Sequence, residues 1–246
     1  MAGYAEMSLV RGMHFLAESQ SAIANNLANV DTANYKRRAP VAVETQTQFD
    51  RVLGAQMPTV RYGERSDFTQ GTMRETGNQM EIALSQGTWL RVQDPNGRTF
   101  LTRDGSLQID PQGMLVTREG MRYLDQTGTP IQVGSGDSAP SSISVSPNGQ
   151  VSDPTTGQAW GPLGVFRVRD MQALRPAGAG KFEDLANQQL ELAGDGVQQG
   201  DQEGSNVDSL QELVQMIVVQ RSFSATQKAL TSVGRMQDQL VANINR

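Results

Sequence analysis

Two stretches of the chain repeat apolar residues at alternating intervals of four and three, and a long middle stretch does not. The first runs Leu9, Met13, Leu16, Gln20, Ile23, Leu27, Val30, with six of seven positions apolar. The second runs Met216, Val219, Phe223, Thr226, Leu230, Val233, Gln237, Leu240, Ile244, with seven of nine apolar. Such spacing aligns side chains along one seam of an α-helix, the pattern of helices that pack on other helices. Ala17, Ala22, Ala24 and Ala28 add helix propensity to the first, and the polar stretch Asn29–Asn34 ends it. Asn206, Asp208 and Ser209 are N-cap candidates for the second, and Ser209-x-x-Glu212 has the layout of a capping box. At roughly 38 residues and ~1.5 Å per residue, this second helix extends about 57 Å.

Between these ends the period changes to two. Leu107-Gln-Ile109, Ile143-Ser-Val145 and, less cleanly, Val165-Phe-Arg-Val168 alternate. Turn chemistry recurs at short intervals in Asp94-Pro-Asn-Gly97, Asp104-Gly105, Asp110-Pro-Gln-Gly113, Glu119-Gly120, Thr127-Gly128 and Pro147-Asn-Gly149. Short alternating runs separated by such turns predict an antiparallel domain of hairpins. All ten prolines fall between Pro40 and Pro176, and 22 of 25 glycines fall between Gly54 and Gly204. The expected fold class is α+β: a mainly β central domain flanked by N- and C-terminal α-helices that pair as a coiled coil. The divisions are an N-terminal helix over 1–36, an extended linker or arm over 37–70, a β-rich domain over 71–204 and a C-terminal coiled-coil helix over 205–246. Trp89 and Trp160 are read as β-core anchors.

The seams also limit what a lone chain can do. Burying one apolar stripe falls short of the backbone entropy lost in ordering so long a helix. Both ends are therefore expected to be poorly ordered alone and to become helical when other chains cover them. A private antiparallel hairpin within one monomer is the alternative use of the same seams.

Composition removes many functions. The formal charge is −5, which disfavours a nucleic-acid binder. The longest aliphatic run, Met216-Ile-Val-Val219, is far short of a membrane span, and Glu6, Arg11 and Glu18 interrupt any signal-peptide core. There is no cysteine and one histidine, His14, so thiol nucleophiles, thiolate zinc sites and two-imidazole sites are excluded. His14 follows Met13 of the seam and is read as a solvated or packing residue. A glycosidase needs only two carboxylates, but Asp104, Asp110 and Glu119 each lie beside turn glycines, and a calcium reading lacks a full ligand loop. The expectation is no enzyme, no cofactor, no metal, no small-molecule substrate, no nucleic acid and no membrane insertion.

Three blocks then carry a family resemblance. Asn25-Asn-Leu-Ala-Asn29 with Thr32 and Tyr35-Lys36 resembles the N-terminal signature of bacterial flagellar rod and hook proteins. Glu203-Gly-Ser-Asn-Val207, followed by Glu212, Val214, Met216-Ile217, Gln220-Arg221 and Lys228, resembles the C-terminal motif of the same family. Glu81-Ile-Ala-Leu84 with Gly87 and Trp89, Leu101-Thr-Arg-Asp-Gly105 and Asp110-Pro-Gln-Gly-Met-Leu-Val116 look like its β-domain core. Two positions depart from the family pattern. Asn34 stands where the family commonly has Gly, but Asn tolerates the left-handed conformation, and Trp89 fills an aromatic slot usually taken by Phe. The short stretch from Lys36 to Gly71 and the lack of a large second β insertion after the core block look unlike the hook protein, and the length resembles the proximal-rod member more than the longer distal-rod member.

The resemblance implies a structural subunit of the basal-body rod, the shaft that crosses the periplasm. Such a subunit is exported through the flagellar type III apparatus without a cleaved signal peptide, and its partners are copies of itself, other axial proteins and that apparatus. A distal-rod or hook-like subunit is the nearest alternative, and a secreted carbohydrate-binding or hydrolytic β protein is the alternative of another class. The residues expected at the assembly interface are Leu9, Met13, Leu16, Ile23, Asn25, Asn26, Leu27, Asn29 and Val30 at one end. At the other they are Met216, Val219, Phe223, Leu230, Val233, Leu240 and Ile244. The asparagines are read either as helix-end residues or as donors and acceptors between subunits.

Overall fold

The computed structural model describes residues 2–45, 59–134, 140, 142–178, 180–186 and 188–244. The chain divides into two compact units. A helical unit comprises residues 1–30, 37–67 and 207–246; a β unit comprises residues 31–36 and 68–206.

The helical unit contains α1 (Ala2–Ala28), the strands β1 (Arg38–Thr45) and β2 (Thr59–Ser66), and a C-terminal helix, here α2 (Ser209–Ile244). α1 packs on α2 and on both strands. Asp208 caps α2: its Oδ1 accepts the N–H groups of Leu210 and Gln211 at 2.9 and 3.1 Å. The capping-box reading is therefore corrected. Glu212 is fully buried, and its carboxylate turns to other partners. The stretch 37–70, which shows neither period, holds an antiparallel hairpin with eight paired positions from Arg38↔Ser66 to Thr45↔Thr59. Its stability comes from packing on α1, where Phe15 and Tyr62 meet edge to face at 6.0 Å. Alternation within the strands contributes little, and Pro40 inside β1 argues against a strand. Both helices are formed within a single chain, against the expectation of disordered ends. Each covers part of the other, and β1–β2 covers a further face of α1, so the burial exceeds that of one seam.

The β unit is built from β3 (Met73–Glu75), β4 (Ile82–Leu84), β5 (Thr88–Gln93), β6 (Thr99–Thr102), β7 (Gln108–Ile109), β8 (Leu115–Val116), β9 (Arg122–Tyr123) and β10 (Ser144–Val145). They are followed by β11 (Gln150–Ser152), β12 (Ala159–Pro162), β13 (Val165–Arg167), β14 (Leu174–Pro176), β15 (Lys181–Asp184), β16 (Glu191–Leu192), β17 (Val197–Gln199) and β18 (Asp201–Glu203). The largest sheet runs β14-β15-β6-β5-β9-β8-β7, with β13 also on β5 and β16 on β13. The strand pairs are antiparallel, as the hairpin pattern predicts. The first and last strands of the β unit meet here: β17 pairs with β4 and β18 with β3.

One turn design recurs. Oδ1 of Asp94, Asp110 and Asp125 each accepts the N–H groups two and four residues ahead, at 2.7–2.9 Å. A glycine with positive φ follows three residues after each, at Gly97, Gly113 and Gly128. The carboxylate satisfies the turn's own backbone, and the glycine alone fits the left-handed position. Asp104 likewise accepts from Ser106 at 3.0 Å. Two apolar clusters fill the unit, one around Leu84, Val92, Leu115, Tyr123, Leu163 and Val165, with Trp160 packed against it. The other is centred on Trp89, which meets Phe68 and Phe182 edge-on at 5.5 and 5.2 Å.

Gly105 tests the close approach of its segment to β4. A Cβ there would lie 1.9 Å from the carbonyl oxygen of Ile82, whereas at Gly97 it would meet nothing within 4 Å. Gly97→Ala should cost about 1–2 kcal/mol from its positive φ, and Gly105→Ala measurably more, read as a larger drop in the denaturation midpoint. Acid provides a second check. Partial burial opposes ionisation of Asp94 and Asp125, but hydrogen bonds from Arg98 and from Thr127 and Thr129 outweigh it and hold both below the ordinary value of 3.8. At Asp153 the Thr155 N–H has the same effect. Because these values are depressed on folding, their stabilisation is complete above the ordinary carboxylate range and is lost as pH falls through the lower folded values. The unfolding midpoint should therefore be insensitive to these groups at neutral pH and fall below about pH 4.

Candidate assembly interface

The end of α1 is fastened to the start of α2 by side chains from three elements. Asn26, fully buried, accepts the Arg38 N–H through Oδ1 and donates through Nδ2 to the Arg38 carbonyl, both at 2.9 Å. It thereby takes both backbone groups that the first residue of β1 turns towards α1. Nδ2 also lies 3.2 Å from Oε2 of Glu212, whose Oε1 accepts Nε of Arg37 at 2.5 Å. Arg37 continues to Oε1 of Gln215 at 3.2 Å. With the third-last residue of α1 held against the fourth of α2, the two helices run antiparallel where they pack. A carboxylate buried at this depth needs such charge-assisted partners.

The predicted seam residues occupy the covered faces. Ile23 is buried, and Leu9, Met13, Leu16, Leu27, Val30, Met216, Val219, Phe223, Leu230 and Val233 are half-buried. The side chains of Leu240 and Ile244 lie outside the described ones. The three asparagines separate. Asn25 is exposed and donates to Ser21 O of its own helix at 3.0 Å, Asn29 donates to Asn25 O at 2.7 Å, and Asn26 joins the junction. His14 is exposed.

The opposite face of α2 is apolar over its first turns as well. At about 100° per residue, Leu210, Val214, Ile217, Arg221, Ser224 and Lys228 form a stripe roughly 180° from Glu212, Val219, Phe223 and Leu230. Leu210 is 70% exposed, Val214 55% and Ile217 50%, and Leu213 and Val218 flank them, also exposed. Farther along, Ile217, Gln220, Arg221, Ser224, Ala225 and Lys228 line a shallow groove. So many aliphatic side chains on one exposed face mark an interaction surface. No helix of the described residues is long and apolar enough to cross a membrane.

Residues 8–36 match the family described as flagella basal body rod protein, residues 83–153 the D1 domain of the flagellar hook protein FlgE/F/G, and residues 198–244 the C-terminal region of flagellar basal body rod FlgEFG protein. The flagellar hook-basal body complex protein FlhP of Bacillus subtilis is 30% identical over 94% of this chain and 94% of its own length. The chain belongs to the flagellar basal-body rod protein family. Rod protein FlgG of Agrobacterium fabrum is 26% identical, covering 95% of this chain and 96% of the relative, and rod protein FlgF of Caulobacter vibrioides is 26% identical over 91% of each.

Within this family framework, the N- and C-terminal matched segments each supply half of the junction, Asn26 from one and Glu212 from the other. Arg37 was not among the expected interface residues, and Glu212 was read only as a capping and motif residue. Their roles depend on partners 175 positions apart, and local spacing carries no signal of that. Asn34, with φ of 60°, adopts the left-handed turn anticipated from its chemistry.

Asn26→Ala would leave two backbone groups of Arg38 and one hydrogen bond to Glu212 unmade. The expected cost is about 1–3 kcal/mol per uncompensated buried group, seen as faster exchange of the Arg38 amide and a lower helical melting temperature.

Proposed function

We propose that this chain is a structural subunit of the bacterial flagellar basal-body rod, which polymerises into the helical axial shaft transmitting torque to the hook. The observation that carries this reading is the uncovered apolar face of α2 on a chain whose family is built for axial assembly. Its occupant is a helix of a neighbouring axial subunit, in the first place another copy of this chain. In a helical tube such contacts are heterologous and repeat without closing. The covered seams pair as a coiled coil, where each knob enclosed by four neighbours resists sliding. The helical units form the inner layer of the shaft and the β units the outer layer. We assign it to the proximal section of the rod, and the short 37–70 segment speaks against a hook subunit. The subunit reaches the periplasm through the flagellar export apparatus.

Ile217→Asp alters the outward face and Leu230→Asp the seam. Each should abolish rod assembly and swimming while the purified chain keeps its β-unit unfolding transition. Normal rods in cells producing only Ile217→Asp would refute the assignment of the outward face. Electron microscopy of basal bodies carrying this chain with a label should place it in the proximal rod.

A further inference from the structure

Helix α1 also has a second face. Val10, His14, Ala17, Ser21, Ala24 and Ala28 follow one another at intervals of four and three, the spacing of the covered seam. At about 100° per residue they lie roughly 180° from the buried Ser19, Ile23 and Asn26, and all six are exposed. The outward face of α2 keeps the same intervals from Leu210 through Val214, Ile217, Arg221 and Ser224 to Lys228. Each helix of the helical unit thus carries two seams, one used within the chain and one open to solvent.

The open seams are unlike and complementary. That of α2 is bulky over its first turns, and that of α1 is small from Ala17 to Ala28. Large side chains facing small ones interdigitate, with the helix axes near the close end of the usual 8–10 Å separation. Charge selects the same pairing. Between Glu212 and Asp238 every charged residue of α2 is a cation, and Arg221, Lys228 and Arg235 recur every seven residues on the outward face. Two α2 helices face to face would bring two basic rows together, whereas α1 presents the exposed Glu18 beside its open seam.

We propose that the open face of α2 is covered by the open face of α1 from a second copy of this chain. The two helices run antiparallel, with Leu210, Val214 and Ile217 at the levels of Ala28, Ala24 and Ser21 of the second copy. The inference deepens the rod reading above and rests on it for where the copies meet. Its register matches that of the chain's own pair, in which Asn26 meets Glu212: Ala28 stands two residues after the one and Leu210 two before the other. Arg221 then falls at the level of Ala17 and Glu18, with the carboxylate within reach of the guanidinium. Lys228 falls at the level of Val10, over which its aliphatic stem lies. All copies point the same way, and each offers α1 to one neighbour and α2 to the other. The contact is heterologous and builds a layer in which α1 and α2 alternate.

The chain has no cysteine, so oxidative cross-linking of introduced cysteines reads the contact. Cells producing Ala24→Cys and Val214→Cys chains together should yield a disulfide-linked dimer in basal bodies, and cells producing either alone should yield none. One chain carrying both substitutions should give a ladder of multimers, because the two faces point apart and the bond cannot close within a copy. Charge reversal by Glu18→Arg or Arg221→Glu should each lower the ladder yield about fivefold, the scale of an exposed ion pair, and the two together should restore it. Dimers from Val214→Cys alone would place α2 on α2, and a ladder from Val10→Cys with Val214→Cys would require another direction or register; either overturns the proposal. Basal bodies that contain the doubly substituted chain without a ladder overturn it too. If the chain is absent from basal bodies the rod reading fails, and cross-linking of the concentrated purified chain then decides the pairing: the same ladder upholds it, and monomers alone overturn it.

Discussion

Helix α2 carries apolar side chains on two opposite faces, and one α1 can cover only one of them. The seam face is met within the chain, with Glu212 buried at its start and Val219, Phe223 and Leu230 following along it. The other face leaves Leu210, Val214 and Ile217 in water, a persistent cost at about 25 cal/mol per Å² of apolar surface. A helix of 36 residues with this layout is incomplete as a monomer. The proposed rod resolves the frustration through neighbours that repeat along an axis.

For that to work, the two ends of the chain must first find each other. The polar junction is the device. Asn26 reads the backbone of Arg38 and the carboxylate of Glu212 at once, and Arg37 neutralises that carboxylate. Apolar seams alone tolerate slipped registers, because one turn of aliphatic residues resembles the next. A buried carboxylate with one compatible set of donors does not. In the β unit Glu203 serves the same purpose: burial works against its ionisation, and Arg103 and Lys36 more than compensate, holding its carboxyl below the ordinary value.

Much of this was legible in the sequence, and the parts that were not share a cause. The Asp-Pro-x-Gly hairpins and both helices rest on local spacing, so residues four or fewer apart suffice to predict them, and the core role of Trp89 follows from its aromatic bulk. The β1–β2 hairpin was hidden because its support is α1, through Phe15 and Tyr62, and because Pro40 masks the strand pattern. Glu212 has the sequence layout of a capping residue because that layout is local, whereas its true partners are distant. The outward face of α2 is masked in the sequence because a seam at heptad spacing is the stronger periodic signal, although Leu210, Val214 and Ile217 follow the same geometry half a turn away.

The chain has no cysteine, so a single one placed at Val214 reports on that face without background. Maleimide labelling of Val214→Cys should be rapid in the free chain and blocked in isolated basal bodies, while a cysteine in the exposed turn at Asn96 stays reactive in both. Equal reactivity of position 214 in both states would contradict burial of this face by a neighbouring subunit, and with it the proposed mode of assembly.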